Sequence, residues 1–212
     1  MTDNIEVFTQ SSILVRTGKG NLYFDPFQMK TEPHDADFIF VTHDHYDHFS
    51  PEDIRKVGCD KTILVVPEKM KEEAVQAAGF VREIVTVTPG ISGEVGGLQF
   101  ETVAAYNKVK PFHPKSAGWV GYVVSVDGKR IYVSGDTDAT KEAEGVKCDV
   151  ALVPVGGTYT MDAKKAAELI NTICPETAIP THYGSIVGSL KDGETFAALV
   201  KPPVRVELKL KR

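Results

Sequence analysis

A chain of 212 residues, 42% apolar and 25% charged, is long enough to bury a substantial core and has the composition of an ordinary globular protein. Its net charge of −5 argues against non-specific nucleic-acid binding, and no apolar run approaches the ~18 residues of a membrane span. Cys59, Cys148 and Cys174 are widely separated and odd in number, and Met1-Thr2-Asp3-Asn4 is a polar start, so a reducing, cytoplasmic setting without a signal segment is expected.

In chain order, Ile13-Leu14-Val15 and Leu22-Tyr23-Phe24 flank the turn Gly18-Lys19-Gly20-Asn21 and predict a hairpin. The continuous apolar run 38–41 predicts a strand covered on both faces. Ser50-Pro51-Glu52-Asp53 then supplies a helix cap, a proline at the first helical position and an acid at the third. A strand over 62–66, a helix over 67–78 closed by Gly79, a strand over 84–87, a glycine-rich turn over 93–97 and a strand over 98–105 follow. Strands over 121–126 and 130–134 flank Asp127-Gly128, a strong hairpin signal. A buried strand over 150–155 precedes a helix over 162–173, apolar at Ala166, Leu169, Ile170 and Ile173. A short strand over 178–180, a helix over 194–200 and an alternating strand over 204–210 close the chain, with Lys209, Lys211 and Arg212 on its solvated face. No linker or low-complexity segment interrupts the pattern. Two blocks of strands, each followed by helices, predict one α/β domain over 1–212 with two stacked sheets and helices outside.

The densest chemistry lies directly after the 38–41 strand, where His43-Asp44-His45-Tyr46-Asp47-His48 places three of the six histidines and two carboxylates in six positions. These are ligand types for zinc, manganese or iron. On a helix His43 and His45 would stand roughly 200° apart, whereas extended backbone points residues two apart to one face. Asp47 and His48 need the chain to turn before the helix at Pro51, so the run is a strand-to-helix loop offering ligands in two directions. The spacing is neither an EF-hand loop nor the helical His-Glu-x-x-His arrangement. Three more polar residues end apolar strands: Asp25 after Tyr23-Phe24, Asp136 after Ser134-Gly135, and His182 after Pro180-Thr181. Taken singly, Asp136 reads equally as a helix cap, His182 as a hydrogen-bonded strand end and Asp25 as a turn residue.

Thr-His-x-His-x-Asp-His over 42–48, Ser-Gly-Asp-Thr over 134–137 and Thr-His-Tyr-Gly over 181–184 resemble the metallo-β-lactamase fold superfamily along essentially the whole chain. Asn107, Phe112-His113-Pro114-Lys115, Gly118-Trp119-Val120-Gly121-Tyr122 and Gly157-Thr158-Tyr159-Thr160-Met161 are similar to its small metal-dependent hydrolases related to ascorbate-phosphate lactonases. The resemblance implies a four-layered αβ/βα sandwich with the site at one edge. It implies two divalent ions, zinc with manganese or iron as alternatives. By that resemblance His43 and His45 would bind one, Asp47, His48 and His182 the other, and Asp136 would bridge them; Asp25 would support the ligands from behind. The first ion's third ligand departs from the superfamily pattern, because Ala104-Ala105-Tyr106-Asn107 stands where a histidine is usual and His113 follows six residues later. Either His113 completes the set or Asn107 occupies the position. The chemistry implied is attack by metal-bound hydroxide on a small, anionic ester, lactone or phosphoester, with Asp47 orienting the nucleophile and shuttling a proton. Lys115, Tyr159 or the amides near Gly156-Gly157 are candidates to meet the developing oxyanion, and Lys108, Lys110 and Lys115 to rim a phosphate site. Trp119 and Tyr122 read more as core than as pocket lining. A di-iron redox protein, a metal-binding scaffold without turnover and an RNA-processing enzyme are the alternatives on this fold. A small-molecule substrate is expected, without nucleic acid or membrane; a homo-oligomer stays open.

Overall fold

The computed structural model describes residues 2–211; Met1, from the polar start, and Arg212, from the closing basic run, lie outside them. Six strands form the first sheet in chain order: β1 (Ile5–Val7), β2 (Ile13–Thr17), β3 (Gly20–Phe24), β4 (Ala36–Phe40), β5 (Ile63–Pro67) and β6 (Glu83–Val87). Pairing is antiparallel from β1 to β3 and parallel from β3 to β6. The second sheet repeats that plan. Its strands are β7 (Ser92–Val95), β8 (Leu98–Ala104), β9 (Val120–Val126), β10 (Lys129–Val133), β11 (Val150–Pro154), β12 (Thr177–Thr181) and β13 (Arg205–Val206). They pair antiparallel from β7 to β10 and parallel from β10 to β13.

The inner faces of both sheets share one apolar core, in which Phe24 and Phe40 stack at 5.2 Å and Tyr122 meets Phe40 edge-on at 5.1 Å. Tyr122 is fully buried there, as expected, with its hydroxyl donating to the Val41 carbonyl at 2.8 Å. On the outer face of the first sheet, helices α1 (Pro51–Val57) and α2 (Lys71–Ala78) pack Ile54, Val57 and Ala74 onto Ile39 and Leu64. Helices α3 (Lys141–Glu144), α4 (Ala163–Ile173) and α5 (Leu190–Leu199) cover the second sheet, with Ala166, Ile170 and Phe196 against Ala151 and Val153. Hydrophobic burial on both sides explains why β5, β11 and the 38–40 part of β4 read as unbroken apolar runs. The result is the αβ/βα sandwich of the metallo-β-lactamase fold.

Several boundaries differ from expectation for identifiable reasons. The helix expected over 67–78 is a 3₁₀ turn at Glu68–Met70 followed by α2, because Pro67 ends β5 in extended backbone. The glycine-rich stretch 93–97 is mostly strand β7, and only Gly96 and Gly97, both at positive φ, make the turn. The last helix starts at Leu190 instead of Glu194. Gly193 disguised its first turn, but the Tyr183 ring fills the space a Cβ would need, and the Ser189 amide donates to Asp192 at the start. The strand expected over 204–210 pairs with β12 only at Arg205–Val206; Leu210 then bridges to Val7, so the chain crosses to the first sheet. There Lys211 pairs with Glu6, and Lys209 donates to the Thr2 carbonyl and pairs with Glu207. Strand β1, which is short, had no sequence signal, and helix α3 is capped by Thr140, not by Asp136. Among the described residues no helix is long and apolar enough to cross a membrane.

Candidate metal centre

Parallel strands of both sheets end at one edge, and their carboxyl ends carry the polar residues, as open α/β sheets commonly arrange their sites. Asp25 follows β3, the 43–48 run follows β4, Asp136 follows β10 and His182 follows β12. Asp25 and His182 have positive φ, 44° and 55°. Such backbone is uncommon outside glycine and concentrates at functional sites. Gly135 lets the two halves meet: a Cβ there would stand 2.9 Å from Thr42 Cβ.

Three interlocking groups of ligand atoms result, each within 4.8 Å: His43, His45 and His113; His43, His48 and Asp136; Asp47, His48 and His182. His43 Nε2 and His45 Nδ1 lie 3.1 Å apart. Asp136 reaches both ends, with Oδ2 3.4 Å from His113 Nε2 and 3.3 Å from His182 Nε2, and Oδ1 3.4 Å from His48 Nε2. Asp47 Oδ2 lies 3.3 Å from His182 Nε2. His43, His48, His113, Asp136 and His182 are buried, Asp47 nearly so, and His45 half-buried at the opening. Asp44 is exposed and contributes to none of the groups.

A buried polar layer behind the cluster fixes the rings. Asp25, fully buried, accepts from the Thr42 amide at 2.8 Å, from the Thr42 hydroxyl at 2.7 Å and from His48 Nδ1 at 2.7 Å. The Thr42 hydroxyl in turn lies 2.9 Å from His43 Nδ1. Both rings are thereby turned so that Nε2 faces the cluster, the role that partners behind a metal ligand perform. Of the two alternatives left open by the sequence, His113 enters the cluster and Asn107 stands behind it. Asn107 Oδ1 accepts from the His113 backbone amide at 3.2 Å and lies 3.0 Å from His113 Nδ1; its amide nitrogen donates to the Tyr159 carbonyl at 3.0 Å.

The electrostatics follow the same division. Burial, aided by the charge at His48, holds His43 well below the ordinary histidine value, and burial also lowers His45. Both are therefore neutral imidazoles with a free lone pair, the form that ligates metals. At His48 burial is outweighed by Asp136 and Asp25, which raise it well above its ordinary value; the same field favours a cation at its Nε2. Burial pushes Asp136 and Asp47 up, but the neighbouring imidazoles prevail, bringing Asp136 well below the carboxylate range and Asp47 to about 2. Burial raises Asp25 despite His48.

The buried atoms His48 Nε2, His113 Nε2 and Asp136 Oδ1 have no hydrogen-bond partner. A buried unpartnered nitrogen or carboxylate oxygen costs on the order of 1–3 kcal/mol, and three converging on one cluster fit a divalent cation. The donor set is imidazole and carboxylate without sulfur, acceptable to zinc, manganese or iron.

One neighbour escaped the sequence reading. Gln10, fully buried at φ 55°, directs its amide nitrogen to Asp47 Oδ2 at 3.3 Å, and its carbonyl accepts from the His182 amide at 2.9 Å. Its only signal is an isolated amide in a polar stretch ahead of β2. Trp119 is buried as expected, but beside the cluster: its ring lies 5.1, 4.9 and 5.5 Å from those of His43, His45 and His113.

Other expected contributors lie elsewhere. Lys115 is exposed, paired with Glu142 at 2.6 Å and poised over the Tyr106 ring, facing a different cleft. Lys108 lines another cleft, and Lys110 donates to the Gly157 and Thr160 carbonyls, so the three lysines form no rim. The Gly157 amide donates to the Met161 carbonyl, which removes it as an oxyanion donor. Tyr159 does reach the site. It lines a cavity of about 260 Å³ with His45, Tyr46, Asp47, Phe112, Asp136, His182 and Ile186.

A model of the β-lactamase superfamily domain matches residues 4–182. The chain is 33% identical over 195 residues to the UPF0173 metal-dependent hydrolase of Thermoplasma acidophilum, covering 86% of this chain and 84% of that one. It is 31% identical over 209 residues to that of Pyrococcus abyssi, covering 89% and 88%. The crystal structure of a protein from Parabacteroides distasonis, titled a putative metal-dependent hydrolase, superposes with a TM-score of 0.81 at 26% identity, covering 98% of this chain and 93% of that one. Fold, ligand cluster and relatives agree: the chain belongs to the UPF0173 metal-dependent hydrolases of the metallo-β-lactamase superfamily.

Proposed function

We propose that this protein is a hydrolase of small esters or lactones, with two divalent ions, zinc first among them, in the cluster at the sheet edge. The observation that carries the reading is the set of interlocking ligand groups whose buried His48 Nε2, His113 Nε2 and Asp136 Oδ1 atoms lack a hydrogen-bond partner. His43, His45 and His113 would hold one ion and Asp47, His48 and His182 the other, with Asp136 shared. Divalent ions held there would supply Lewis acidity toward a carbonyl oxygen and would lower the pKa of a coordinated water from about 15.7 toward about 7.

The chain's own groups supply placement. Asp25 and Thr42 hold the His43 and His48 rings, and Asn107 holds His113. Asp47, at about 2 and lining the cavity, is at neutral pH an acceptor that orients a water for attack on the acyl carbon. Its low value suits it to hold a proton's partner in place, and less to surrender a proton to the leaving alcohol. Hydrolysis forms the bond from water oxygen to acyl carbon, breaks the acyl C–O bond and leaves the water's proton with the alcohol. The anionic substrate that the resemblance implies finds no support in Lys108, Lys110 and Lys115, none of which lines the cavity, and is not carried into this reading.

The test is elemental analysis of protein prepared without chelator, together with ester and lactone hydrolysis before and after chelation. Close to two ions per chain, with turnover lost on chelation and restored by metal, is the expected result. One ion or fewer sinks the two-ion reading. Two ions without turnover on any ester or lactone leaves a metal-binding scaffold.

A further inference from the structure

The lining of the cavity joins two chemistries. His45, Asp47, Asp136 and His182 bring ligand-type polar atoms, and Tyr46, Phe112, Tyr159 and Ile186 bring large, mostly apolar side chains. Each of these four large side chains is exposed, from 37% for Tyr159 to 67% for Tyr46, so apolar surface is gathered at the mouth of a polar cluster. Phe112 and Tyr159 pack edge-to-face at 4.9 Å and 89°, and Tyr46 leans edge-on against Phe27 at 6.0 Å. Among the described residues neither lysine nor arginine lines this cavity. At about 260 Å³ the space is at the small end of ligand cavities, enough for one ring or a short alkyl chain beside the reacting group.

We propose that the substrate is a small carboxylic ester or lactone whose non-reacting part is uncharged and apolar, an aryl or short alkyl group lying against Phe112, Tyr159 and Ile186. This rests on the hydrolase reading of the same site. Phosphorylated or polycarboxylate substrates would bring charge to a wall with no cation to answer it, and would lose hydration without compensation. An aryl group instead exchanges water for aromatic edges and the Ile186 methyls. That burial corresponds to roughly 10-fold to 100-fold in affinity over a methyl group.

The test uses the zinc-loaded full chain and three hydroxamates that share one metal-binding head: acetohydroxamate, phenylacetohydroxamate and succinic monohydroxamate. Calorimetry is expected to rank phenyl above methyl by roughly 10-fold or more, and methyl above the anionic compound. Methyl esters of the same three acyl groups should follow that order in kcat/KM. In Ile186→Lys the anionic compound should gain on phenylacetohydroxamate, and in Tyr159→Ala the phenyl-to-methyl ratio should fall toward one; metal content reports whether each variant retains the site. Equal affinities for the phenyl and methyl compounds, or preference for the anionic one, would overturn the proposal even if esters are turned over. Phenyl preference without turnover of any ester would uphold the apolar wall and sink the hydrolase reading.

Discussion

The two ends of the ligand cluster are built on opposite electrostatic plans. His43, His45 and His113 form a trio of imidazoles, two of them lowered by burial, and have no carboxylate of their own. Asp47, His48 and His182 form a charged end, where Asp136 and Asp25 raise His48, and His182 and His48 lower Asp47. The trio offers a cation lone pairs held ready; the charged end offers it a field. The trio therefore depends on ring placement by Asn107 and Trp119, and should be the weaker binder.

The largest effect is expected where the two plans meet. Asp136 faces His48, His113 and His182, so Asp136→Ala should empty both ends. Metal per chain should fall below one ion, and hydrolysis should drop by more than the ~100-fold that loss of a supporting partner costs. Retention of two ions would mean that the ends bind independently. Next come His113→Ala and His182→Ala, each expected to leave one ion. Chelator competition should find the ion remaining in His113→Ala the tighter of the two, because it sits at the charged end. Equal retention would refute the contrast.

Smaller effects should remain local. Asn107→Ala frees the His113 ring, and Gln10→Ala removes the amide that faces Asp47. Each should weaken metal binding at its own end by about 10-fold to 100-fold and leave the other end unchanged. Titration with Co²⁺, followed by its visible bands, separates the two ends. Weakening of both by either variant would show one coupled network in place of two.

The same contrast explains what could be read from the sequence. The run 43–48 was legible because strand-to-helix loops keep their ligands contiguous, and its two-residue spacing dictated an extended start. Asp136 and His182 were legible only as polar ends of apolar runs, and only as a set. His113 was favoured over Asn107 as the ligand, but the sequence alone left the choice open, since the order of ligand and support depends on a backbone turn: the Asn107 amide donates to the His113 carbonyl at 2.8 Å and brings the two together. Gln10 was invisible for the same reason, being 172 positions from its partner His182. The lysine rim was misread because sequence proximity to His113 says nothing of side-chain direction, and Lys115 and Lys110 each found an acceptor nearer than the cavity. Fold class was readable from doubly buried strands, whereas the sheet switch at Leu210 was hidden by alternation that continued past the end of pairing.

The smallest effect sets a control on all of these. Asp53, at 4% exposure, accepts from the Gln28 and Met29 amides, each at 2.9 Å, from the Ser50 hydroxyl at 2.7 Å and from Lys56 at 3.2 Å. It ties the 27–29 loop to the start of α1 and touches neither ligand group. Burial raises its carboxyl, but the Ser50 and Met29 hydrogen bonds, with Lys56 and Gln28, outweigh that and hold it below the ordinary aspartate value. A depressed folded value means that the carboxylate's contribution is complete above the unfolded value, near 3.8, and is lost as pH falls through the lower folded value. Asp53→Asn should therefore cost about 1–3 kcal/mol at pH 7, measured by urea unfolding of the metal-free chain, and the gap from the parent should narrow on acidification. Its metal content and chelator competition should match the parent at both ends. A variant that lost metal selectively from the trio would connect the 27–29 loop to the site through Phe27 and Tyr46, and the electrostatic contrast alone would no longer account for the weaker end.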